Sequence, residues 1–100
     1  MRISFHPEAK KEVDHQSSFY DERSPGLGLR FILELEQTLD FLSRNPKAAT
    51  RVAEKARRKK FRKFPFALIY RFLEERQEIR ILAVAHNARR PGYWFDRLKS

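Results

Sequence analysis

Four residues near the C-terminal end, His86, Arg89, Arg90 and Tyr93, have side chains that could act on a phosphodiester. Metal-free RNA cleavage needs a base for the 2′-hydroxyl, an acid for the leaving oxygen and a cation for the charged phosphorane. A histidine, two guanidiniums and a phenol could fill these roles. A lone histidine at a strand end is, however, more often structural than catalytic, and paired arginines often serve neighbouring acids. On residue types alone the structural reading is the favoured one.

The densest charge lies upstream, in Arg57-Arg58-Lys59-Lys60-Phe61-Arg62-Lys63-Phe64, where six cations interleave with two aromatics. As a strand, this segment predicts Arg58, Lys60 and Arg62 on one face, spaced to follow a phosphate backbone. Phe61 falls opposite with Arg57, Lys59 and Lys63. Edge-strand cations also serve to block sheet-to-sheet aggregation. Six in eight residues favours binding to a polyanion or an acidic partner, with Arg71 on the next strand as a further contact. The whole chain agrees, with 22 Lys and Arg against 13 Asp and Glu and a formal charge of +9.

Several chemistries are excluded. The chain has no cysteine, which removes disulfides, thiolate nucleophiles and Cys-based zinc sites and fits a reducing cytoplasm. His6, His15 and His86 are too scattered for a metal site, so neither metal nor cofactor is expected. Gly26-Leu27-Gly28 lacks the lysine and the preceding strand of a phosphate-binding loop. Met1-Arg2-Ile3-Ser4-Phe5 has no signal-peptide character, and no apolar run reaches the ~18 residues of a membrane span. The expectation is a cytoplasmic protein without membrane contact.

The elements that must position these residues follow from periodicity. One hundred residues, 41% hydrophobic, predict a single domain over 1–100. Ile3 and Phe5 alternate with Arg2 and Ser4 as a short strand. Pro7 and Glu8 open a helix with Ala9, Val13, Ser17 and Tyr20 on one face. Ser24-Pro25 predicts a second N-cap, before a helix striped by Phe31, Ile32, Leu35, Leu39 and Leu42 and stopped at Asn45-Pro46. The short connection makes the pair an antiparallel hairpin. Residues 47–56 show no period and stay open between a loop and a helical turn. Strands follow over 57–64 as a basic edge, 66–73 at the centre and 78–86, the last two joined through Glu74-Glu75-Arg76-Gln77. The order β-α-α-β-β-β predicts an α+β fold, with a helical hairpin on one face of a small, mainly antiparallel sheet and the other face partly open.

In combination, four strings resemble the RelE/ParE superfamily of type II toxin–antitoxin systems, also known as the plasmid stabilisation family. They are Phe5-His6-Pro7-Glu8-Ala9, Ser24 to Phe31, Phe64 to Tyr70, and Ala83 to His86 with Arg89 to Trp94. The resemblance implies a toxin neutralised in a hetero-oligomer by a cognate acidic antitoxin that covers the basic surface. It implies growth arrest by ribosome-dependent mRNA cleavage, with His86 as acid or base, Arg89 and Arg90 on phosphorane charge and Tyr93 orienting or stacking. The alternatives are ParE-like inhibition of DNA gyrase without nuclease activity, or a degenerate module that only binds antitoxin or nucleic acid. Nuclease members commonly carry an arginine shortly before the tyrosine matching Tyr70. Here Phe66-Ala67-Leu68-Ile69 stands in that place, which weighs for binding, while His86 weighs for cleavage.

Overall fold

The computed structural model describes residues 1–99; Ser100, the last residue of the expected domain, lies outside them. Strand β1 (Arg2–Phe5) leads into helix α1 (Pro7–Arg23), with Pro7 in the first helical turn. The cap is His6, whose Nδ1 accepts the Glu8 N–H at 3.1 Å. Ala9 and Val13 are buried, and Tyr20 joins a cluster of rings with Phe31, Phe64 and Phe66.

The predicted Ser24 cap is corrected. Ser24 ends α1, its N–H donating to the Tyr20 carbonyl at 3.0 Å, and helix α2 (Leu27–Arg44) starts after Gly26 at φ 87°. Asp21, in the last turn of α1, does the capping, accepting the N–H groups of Gly26 and Gly28 at 3.1 Å each. Such orphan donors need an acceptor, and the preceding helix supplies it. Gly28 is also where the helices meet, since a Cβ there would collide with the Ser17 carbonyl oxygen.

Residues 47–56, left open above, contain strand β2 (Thr50–Ala53), which pairs antiparallel with β3 (Ala56–Lys60). Strands β4 (Phe66–Leu73) and β5 (Glu78–His86) complete one five-stranded sheet of order β1-β5-β4-β3-β2. Among the described residues only the β1–β5 pair is parallel. The α+β expectation holds, with one extra strand.

The basic strand differs from expectation in two ways. It lies inside the sheet, because β2 takes the edge. It also stops at Lys60: the buried Glu34 carboxylate of α2 accepts the N–H groups of Arg62 and Lys63 and holds residues 61–65 as a turn. A buried carboxylate left without donors is costly, which explains the early end. Arg62 therefore does not continue the face of Arg58 and Lys60.

The main core lies between the helices and the sheet, around Phe31, Leu42, Phe66, Leu68, Tyr70 and Ile81. The opposite face is less open than predicted. Ala56, Ile69, Leu82 and Ala83 are covered there by Trp94, with Tyr93 and Leu98 packed alongside. No helix among the described residues is long and apolar enough to cross a membrane.

Candidate functional site

An irregularity in the sheet builds the site. In the β4–β5 pairing Ile69 faces Ala83 and Tyr70 faces Ile81, so Leu82 is an extra, bulged residue. Strand β1 ends beside it, with Phe5 opposite Ile81 and the His6 N–H on the Ile81 carbonyl at 2.8 Å. Beyond that point side chains replace the missing strand. The Val84 N–H donates to Glu12 Oε1 and Arg97 Nη1 donates to the Leu82 carbonyl, both at 3.0 Å.

Glu12 is the hub. Its carboxylate takes both Nη atoms of Arg97 at 3.0 Å and the Tyr93 hydroxyl at 2.8 Å. The Glu12 and Arg97 side chains are 15% and 13% exposed, and a bidentate pair so shielded from water fixes geometry. Arg89 lies with its guanidinium 3.8 Å above the Tyr93 ring and one nitrogen 3.8 Å from Glu12. Burial, then the hydrogen bond and charge of Glu12, push the Tyr93 phenol far above its ordinary pKa and keep it protonated.

This latch shapes a groove of about 380 Å3 between the β5 end, the tail and β3. Its walls bring together Arg58, His86, Arg89, Arg90 and Tyr93, over Ile69 and Ala85. Val52 and Phe95, 40% and 53% exposed, give it apolar lips. Arg58 is held by Asn87 Oδ1 at 2.9 Å. His86 lies at the rim: its register partner is Phe66, on the helix-facing side of the sheet, and the two rings meet edge to face at 5.0 Å. Its Nδ1 accepts the Ala88 N–H at 3.0 Å.

The other predicted contacts are dispersed. Arg57 donates to the carbonyls of Lys47 and Ala49, and Lys59 sits over the Phe41 ring at 4.8 Å. Lys60 is exposed at the end of β3, Arg62 and Lys63 occupy the turn, and Arg71 stands beyond Trp94 among other cations. Ala67 is fully buried between Lys60 and Ala85 in register, so the central strand presents no guanidinium there. Glu12, Asn87, Arg97 and the Trp94 cover were missed. The one local signal for Glu12 is a carboxylate beside the Ala9–Val13 stripe. No group of three His, Cys, Asp or Glu side chains among the described residues could hold a metal ion.

Known proteins share this architecture. The ParDE toxin–antitoxin system of P. aeruginosa contains a chain superposing with a TM-score of 0.72 at 19% identity, covering 86% of this chain and 95% of that one. The isolated E. coli RelE toxin superposes at 0.63 with 20% identity, covering 98% and 95%. No curated protein matches the sequence significantly. The model of the ParE toxin of the type II toxin–antitoxin system parDE matches residues 3–91, and the chain therefore belongs to the ParE toxin family of type II toxin–antitoxin systems.

Proposed function

We propose that this toxin arrests growth by binding and inhibiting DNA gyrase, and that it does not cut RNA. The carrying observation is the commitment of the Tyr93 hydroxyl to Glu12, which turns the phenol from a cleavage candidate into scaffold, with Arg89 stacked on its ring and still 54% exposed for contact with a target. The Ala67 position and the rim placement of His86 weigh the same way. What remains is a shaped groove with cationic walls and apolar lips, suited to holding a target surface. A cognate acidic antitoxin would neutralise it in a hetero-oligomer, matching the +9 charge.

One observation favours the mRNA-cleavage alternative. With Nδ1 accepting the Ala88 N–H, the His86 ring is fixed with Nε2 as the nitrogen left to meet a phosphate or leaving oxygen at the rim of the groove. Mapping transcript 5′ ends in cells expressing the toxin separates the two. The proposal expects intact transcripts and a His86→Ala variant that stays toxic. New ends inside translated codons that vanish in His86→Ala would establish cleavage instead.

A further inference from the structure

Beyond the Trp94 cover, the same sheet face carries cations that share no lining residue with the groove above. Arg71 on β4 and Arg80 on β5 are direct register partners, so two guanidinium stems stand side by side on adjacent strands. Like charges so placed repel. Among the described residues Arg80 makes one hydrogen bond, from Nη1 to Ser4 Oγ at 3.3 Å; that hydroxyl donates to Glu78 at 2.5 Å, and the Arg80 charge also acts on the Glu78 carboxylate.

Arg71 has no partner among the described residues, which sets it apart. Among the described residues five arginines are half-buried: Arg57, Arg58, Arg71, Arg80 and Arg97. The other four each hydrogen-bond a carbonyl, a side-chain oxygen or a carboxylate. A partly desolvated guanidinium without an acceptor is unfavourable, and an external anion offsets that cost. The nearby acids do not serve it. Glu74 is held by Lys47 at 3.1 Å and Glu78 by Ser4, while Glu54 and Glu75 lie exposed on the groove walls.

We propose that Arg71 and Arg80 form a phosphate-binding site for a nucleic-acid strand, separate from the target groove. Two planar forks on neighbouring strands suit the oxygens of one phosphodiester. The surroundings favour a strand over a free ion, because Arg71 is the wall shared by two open grooves of about 320 and 680 Å3. One carries Arg51 and Lys55, with Arg57 on its wall already donating to the Lys47 and Ala49 carbonyls, and the other carries Arg76, Arg80 and Lys99. Together they make a cationic track running past Arg71, and successive phosphates can follow it.

The test is fluorescence anisotropy of a short single-stranded DNA with the purified toxin over a salt series. Arg71→Ala and Arg80→Ala should each weaken binding several-fold and flatten the log K against log salt slope by about 0.7. Arg30→Ala, on exposed α2, should change neither. Arg71→Ala should melt no lower than wild type, because it removes a repulsion, so lost binding would not reflect unfolding. Unchanged affinity in both variants overturns the site. Equal competition from inorganic phosphate at the same phosphate concentration, or equal binding of an uncharged methylphosphonate strand, overturns the strand as ligand. Tighter binding of a polyglutamate peptide than of DNA would assign the track to an acidic protein instead.

Discussion

Replacing Glu12 with alanine tests the latch that shapes the target groove. The change leaves the Val84 N–H, the Tyr93 hydroxyl and both Arg97 nitrogens without their shared acceptor, in a place where Arg97 is only 13% exposed. Removing one partner of a buried ion pair costs about 3–5 kcal/mol, because the remaining charge stays desolvated, and this part-buried pair should come at the lower end. Native stabilities of about 5–15 kcal/mol make this a large fraction of the total. At about 4–8 °C per kcal/mol for a domain of this size, the melting temperature should fall by at least about 12 °C. Arg97→Met alone should cost less, because Glu12 keeps Tyr93 and Val84. The double variant should be more stable than the sum of the single effects implies, since the guanidinium that loses the Glu12 carboxylate is gone as well. Urea unfolding of the four proteins, with unchanged m-values, measures this cycle. A loss below about 1 kcal/mol in Glu12→Ala, the range of exposed pairs, would refute the buried hub.

Three further outcomes follow. Burial, then Arg97 and Arg80, lower the His6 pKa below its ordinary 6.5, so the unfolded chain binds more protons than the folded one between those values. Stability at the α1 cap is thus complete above pH 6.5 and lost as pH falls through the folded pKa; His6→Asn should keep the cap and flatten this part of a melting-against-pH series. Gly28→Ala should destabilise by about 1–3 kcal/mol in urea despite alanine's helix propensity, because its Cβ meets the Ser17 carbonyl; a stabilised variant would contradict the close helix contact. Trp94→Ala should uncover Ile69, Leu82 and Ala83 and cost about 3–5 kcal/mol, read by urea unfolding; a loss within experimental error would mean that the tail does not seal the sheet.

Local pattern made the helices and the two long strands legible. The α2 stripe and the apolar run from Phe66 repeat at one period over many residues, so each element reports its own buried face. Strand β2 gives no such signal: its four residues are mostly exposed, and pairing with β3 defines it. The Ser24 cap failed because Asp21, one helix back, reached the same N–H groups first. The basic run looked like one strand until Glu34, distant in sequence, took the amides of Arg62 and Lys63. His86, Arg89, Arg90 and Tyr93 do border one groove, as neighbours in sequence would. Their roles depend on Glu12, whose place follows from where β1 ends and where Leu82 bulges, and neither is a local property.

The central claim is inhibition by binding, and supercoiling of relaxed plasmid by purified DNA gyrase tests it most directly. Wild-type toxin should abolish supercoiling, and His86→Ala should do so equally, while a reporter mRNA in a translating extract stays intact with either protein. Undiminished supercoiling with folded toxin in excess over gyrase, together with codon-positioned cuts in the reporter, would contradict the account.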